Sequence, residues 1–281
     1  MRLGNEWRFV GIVFGLAITA GGALISGFDI GGLLFAVSPV VAALTVRALG
    51  HLEPGSLDLR FKWRPSWYLL AFALYPIATC LVVAGGVTVG TIELGQGATP
   101  DFVLVTLAMR LVPGLVLATF EEIGWRGYLA PALATRGMSR IANHLTVGLV
   151  WTVWRVPLLL GANGASGDTA LGFAPLFLFG NLALAVIFGE MRLRAGTIWP
   201  VIVSRGIGIA LTYVVLDRSF FTRPDTFWFA PRPDGLVMAL LLMVIAWVIT
   251  RVPSSQSVGT LMPGPWGGDD DDDPDFPKVS A

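Results

Sequence analysis

Five charged residues stand in or beside long apolar runs: Glu121, Glu122, Arg126, Arg155 and Arg205. A carboxylate or guanidinium at membrane depth costs from about 3 to more than 10 kcal/mol, so each marks either a function or an enforced pairing. Glu122 and Arg126 are four residues apart and can pair on one helix face. Glu121 points about 100° away from Glu122, so one carboxylate can be held while the other meets something else. Arg155 and Arg205 have no acidic residue one turn away in sequence. The economical arrangement turns all five toward one another around a shared polar cavity. Such a set could act through a carboxylate as general base and through guanidinium forks as an anion clamp. Arg110, eleven residues before Glu121, shares its face but lies about 16 Å along the axis.

The elements that must position these residues are membrane helices. Of 281 residues, 54% are hydrophobic and 14% charged, and mean hydropathy is +0.72. Soluble domains carry about a quarter charged residues. A spanning helix needs about 20 predominantly apolar residues, and such runs occur at roughly 7–26, 29–49, 67–88, 102–120, 142–161, 171–190, 197–216 and 235–252. The expected fold class is therefore all-α, a polytopic bundle of about eight transmembrane helices, with the charges on the fourth, fifth and seventh. Arg2 and Arg8 before the first run also fit a signal peptide; seven further spans favour an uncleaved helix.

Basic residues set the expected orientation. Arg2, Arg8, Arg47, Arg60, Lys62, Arg64, Arg126, Arg136, Arg140, Arg192, Arg194 and Arg251 all fall on one side of an eight-helix weave. The opposite loops hold Asp29, Glu93, Asp101 and Asp168, with basic residues only in the 217–234 loop. This predicts a multi-pass protein of the cell membrane with both termini cytoplasmic. Residues 1–252 read as the transmembrane domain. Residues 253–281 carry five consecutive aspartates, Asp269 to Asp273, among prolines, and read as a disordered acidic cytoplasmic tail. The lone Cys80 permits no intrachain disulfide, and there is no nucleic-acid signature. Trp151, Trp154 and Trp199 read as packing or interface residues, and the two histidines, His51 and His144, as surface or interface residues.

The run Glu121-Glu122-x-x-x-Arg126, continuing as Gly127-Tyr128-Leu129, resembles the first motif of the CPBP family of intramembrane metalloproteases. That family includes the type II CAAX prenyl endopeptidases and the bacteriocin-processing or self-immunity proteins. Residues 148–157, with Trp151, Arg155 and Pro157, look like its second motif, an aromatic followed four positions later by histidine. Residues 197–209 look like its third, histidine followed four positions later by asparagine or aspartate. The resemblance covers roughly residues 30–215 and implies a helical membrane core, a site open to the cytoplasm, and metal-dependent peptide hydrolysis.

This chain departs from the pattern where the chemistry resides. Arg155 and Arg205 stand at the two histidine positions, and Ile209 at the asparagine position. Zinc takes thiolate, neutral imidazole or carboxylate, and a protonated guanidinium has no lone pair to offer. No cofactor is expected, family-type zinc included. Three readings follow. The first is a pseudoprotease that binds a membrane partner or lipidated peptide. The second is a metal-free enzyme acting on an anionic lipid or prenyl substrate, with Glu121 as base and the arginines as clamp. The third is an active endopeptidase of atypical mechanism. The first needs the fewest inventions.

Overall fold

A computed structural model describes residues 4–49, 59–163, 174–217, 219–223 and 227–252. The acidic tail, His51 and Asp168 lie outside the described residues. Helices cover the described parts of all eight apolar runs, the fifth run being divided between two. In chain order the helices are α1 (Asn5–Ile25), α2 (Ile30–Ala48), α3 (Pro65–Thr88), α4 (Pro100–Glu122), α5 (Ala130–Ala134), α6 (Arg140–Trp154), α7 (Val156–Asn163), α8 (Ala174–Ala195), α9 (Trp199–Val215) and α10 (Leu236–Arg251). A π-helical segment, Ile123–Leu129, joins α4 to α5 without a break. Six spans are long and apolar enough to cross a membrane, and α9 and α10 are shorter apolar helices.

Two boundaries differ from the sequence expectation, and both matter to the charges. The fourth apolar run ends near residue 120, yet its helix continues to Ala134 as one 35-residue span. Arg126, counted above among the loop cations, instead lies buried in the π-helical segment. A π-turn is an uncommon local geometry that often occurs at functional sites. The fifth run, in contrast, is interrupted. Pro157 has no N–H to return to Val153, and Arg155 sits at the break, with its N–H turned to the Thr152 carbonyl at 3.2 Å. The chain resumes as α7.

The outer surface is what lipid requires. Leu104, Val105, Met109 and Val112 on α4, and Leu69, Phe72, Ile77 and Leu81 on α3, are exposed. All backbone polar groups in such a setting must be paired within the chain, which helices accomplish. Contacts across the loops sort the two ends of the bundle. At one end Glu6 meets Arg136, the Thr197 hydroxyl donates to the Arg60 carbonyl at 2.8 Å, and Arg194 donates to the Val252 carbonyl at 2.7 Å. At the other, β1 (Glu93–Leu94) pairs antiparallel with β2 (Phe221–Arg223). The first and last described helices thus share an end.

Candidate functional site

The centre of the molecule is set by α4 against α9, the most extensive helix contact in the fold. Two glycines permit it. A Cβ on Gly114 would lie 2.6 Å from the Gly206 carbonyl oxygen, and one on Gly206 would lie 2.7 Å from the Leu115 side chain. Close backbone approach at small residues is how membrane helices gain contact where no hydrophobic force acts between them. Because Gly206 follows Arg205, this approach brings Arg205 onto the last turn of α4. Gly124 does the same on the α2 side, where a Cβ would meet Pro39 at 2.5 Å.

All five sequence-selected charges meet here. Arg205 donates a short hydrogen bond to Glu121 Oε2. Arg155 Nη2 lies 3.6 Å from the same oxygen, and Trp151 Nε1 donates to it at 3.0 Å. Glu122 pairs with Arg126 at 3.0 Å and with Arg205 Nε at 3.7 Å. Arg205 therefore touches both carboxylates and joins two pairs into one network. Glu122, Arg126 and Arg205 are almost wholly buried, whereas the Arg155 side chain is 27% exposed and its Nε has no hydrogen-bond partner. Two carboxylates and three guanidiniums leave one formal positive charge in excess, and Arg155 is the member open to the surface.

Trp151 is more than a packing residue. The guanidiniums of Arg205, Arg155 and Arg126 lie 4.4, 4.7 and 5.3 Å from its ring. The indole face attracts cations while its N–H holds the acid, so one side chain organises both signs of charge. Arg110 takes no part and stacks on Tyr213 at 4.4 Å.

A second buried charge centre was missed in the sequence. Glu190, near the end of α8, is fully buried. It accepts from Arg194 Nε at 2.8 Å, lies 3.1 Å from Arg140 Nε and 3.3 Å from His144 Nε2. His144 is accordingly not a surface histidine. It is 5% exposed, held between α6 and α8, and a Cβ on Gly189 would overlap its ring at 2.1 Å. The available signal was Glu190 itself, an acid ending an apolar run four residues before an arginine, the spacing that had singled out Glu122 and Arg126. Among the described residues, no group of three or more His, Cys, Asp or Glu side chains is placed to hold a metal ion.

Helix architecture, lipid-facing exterior and buried acid–guanidinium network together define a multi-pass α-helical membrane protein with a charged site built between helices. The model of type II CAAX prenyl endopeptidase Rce1-like proteins matches residues 102–210, a stretch that contains all five charges. Through this core the chain is similar to the Rce1-like type II CAAX prenyl endopeptidases. A CAAX prenyl protease 2 from Methanococcus maripaludis is 30% identical over 141 residues, 48% of this chain. The chain spans about half the length of that curated relative, 50%.

Proposed function

We propose that this chain is a protease homologue that lacks metal-dependent peptidase activity and uses the family scaffold to bind a membrane partner or lipidated peptide. One observation carries the reading: the Glu121 carboxylate is already held by Arg205, Arg155 and the Trp151 N–H. By the motif resemblance, Arg205 and Arg155 occupy the positions from which imidazoles would reach this acid. The donor set does not fit zinc, since a guanidinium offers no lone pair and two cations oppose a divalent ion at close range. The scaffold sits in the cell membrane with both termini and the acidic tail on the cytoplasmic side, as the distribution of Arg and Lys supports.

Metal analysis and a peptidase assay on the purified full-length protein test this. The expected result is no stoichiometric zinc and no cleavage of a prenylated peptide, with zinc uptake restored in the doubly substituted R155H/R205H protein. Stoichiometric zinc in the native sequence, or cleavage abolished by Glu121→Ala, overturns it.

The partial exposure of Arg155 and its unpartnered Nε favour a second reading, in which the arginines clamp an anionic lipid or prenyl substrate with Glu121 as base. Lipid-anion binding in nanodiscs that falls at least tenfold in both Arg155→Ala and Arg205→Ala, together with turnover of that lipid, would select it over the first.

A further inference from the structure

The two buried charge centres are separated by a small, largely apolar-walled space that the proposed function does not use. It is lined by Arg126 from the first centre, by Asn143 and His144 of α6, and by Gly189 of α8, with Val147 and Ala185 as apolar walls. Its volume is about 10 Å³, the room that one water molecule needs. Arg192 also borders the space, and two further lining side chains carry buried polar atoms of opposite kind without a hydrogen-bond partner. Arg126 Nη2 is a donor and Asn143 Oδ1 an acceptor. Each leaves a desolvation cost of about 1–3 kcal/mol if unmet, more where the group is charged.

Neither atom can be turned away to relieve this. Arg126 is anchored through Nη1 on Glu122 at 3.0 Å. The Asn143 amide is fixed because Nδ2 donates to the Ala130 carbonyl at 2.7 Å, so a flip would set oxygen against oxygen. His144 is anchored through Nε2 on Glu190, which leaves Nδ1 beside Gly189, a wall of the same space. A small anion would satisfy Arg126 but not Asn143 Oδ1, which requires a donor. Water supplies both a donor and an acceptor.

We propose that Arg126, Asn143 and His144 hold one ordered water that bridges Arg126 Nη2, Asn143 Oδ1 and His144 Nδ1. Through it the His144–Glu190 pair fixes the Arg126 guanidinium, and so the Glu122–Arg126–Arg205 arrangement. His144, Asn143 and Glu190 are thereby positioning residues for the membrane-embedded site. Glu190 also meets Arg140, whose side chain is 30% exposed, so the chain of contacts runs from the bundle end to the buried network.

The chain has two histidines, which makes a direct test practical. The full-length protein, labelled with nitrogen-15 in histidine and reconstituted in lipid, gives two ring signal sets, and His51→Gln assigns them. The expected result is a through-space contact between His144 Nδ1 and a slowly exchanging water, lost in Asn143→Leu, together with a shifted Arg126 guanidinium resonance in that variant. Asn143→Leu should leave His144 Nε2 on Glu190 undisturbed, which separates loss of the water from general unfolding. A His144 Nδ1 with no water contact in the unsubstituted protein overturns the proposal, as does an Arg126 resonance unchanged by Asn143→Leu in the folded variant.

Discussion

Glu121–Glu122 and Glu190 anchor two buried charge centres whose cations arrive by different routes. Around the two adjacent acids, Arg126 is local, but Arg155 and Arg205 come from separate helices, Arg205 from 84 residues away. Around Glu190, Arg194 is local at i+4, and Arg140 and His144 come from one neighbouring helix. In solvent access the centres are alike, each buried except for one partly exposed arginine, and they differ in the other partners open to their cations. Arg126 and Arg205 are nearly inaccessible, at 2% and 4%, and of that group Arg155 alone is appreciably open. At Glu190, Arg140 is 30% exposed and Arg194 has a second acceptor in the Val252 carbonyl. Removing the Glu122 charge leaves Arg126 buried without its ion-pair partner; removing that of Glu190 leaves Arg194 its bond to the Val252 carbonyl and Arg140 its partly exposed position. Similar chemistry thus has unequal tolerance, and the difference lies in the alternative partners of the cations rather than in burial or in the number of ion pairs.

The sharpest way to break this contrast is to neutralise one acid in each centre. Glu122→Gln leaves Arg126 buried with a neutral partner. Breaking a buried pair in this way costs about 3–5 kcal/mol, so equilibrium unfolding in mixed micelles should show a loss of that size or failure to accumulate folded protein. A variant as stable as the native protein would remove the argument for enforced pairing. Glu190→Gln loses charge-assisted hydrogen bonds but not solvent access for Arg140, and should cost less, about 2–3 kcal/mol. Equal losses in the two variants would mean that the alternative partners at Glu190 do not set the cost.

The all-α class was legible in the long apolar runs, and the five members of the first centre because charge inside apolar sequence is expensive, so its positions are conspicuous. The same rule should have found Glu190, but it falls at the end of a run, where interfacial charge looks ordinary. Arg126 was misplaced because hydropathy falls at residue 120 while the helix does not. A π-helical segment with buried Gly124, Trp125 and Tyr128 carries no periodic signal that distinguishes it from a loop. The role of Trp151 was illegible for another reason. Tryptophan is common as a membrane packing residue, and only its neighbours from other helices make it a cation platform.

Trp151 gives a finer probe of the first centre. Trp151→Phe keeps an aromatic face for the guanidiniums but deletes the N–H donated to Glu121 at 3.0 Å. A hydrogen bond to a charged group is worth about 1.5–3 kcal/mol, and two guanidiniums still hold the acid, so a loss near about 1.5 kcal/mol is expected. A loss as large as that of Glu122→Gln would make the indole N–H, rather than the ion pairs, the main support of Glu121.

The smallest effect belongs to an ion pair at the far end of the bundle, where solvent reaches both partners. Glu93 and Arg223 approach to 3.2 Å between β1 and β2, with side chains 57% and 56% exposed. Exposed pairs contribute about 0–1 kcal/mol because water screens the charges and two long side chains must be ordered. Arg223 also donates to the Gly90 carbonyl, so Glu93→Gln leaves it a partner. The same unfolding measurement should therefore show a change below about 1 kcal/mol, and raising the salt concentration should move the native protein and Glu93→Gln closer together. The buried centres should respond little to salt, since screening ions do not enter them. Strong salt dependence in Glu122→Gln relative to native protein would mean that the first centre is wetter than its burial indicates, and the contrast between the two centres would then lose its physical basis.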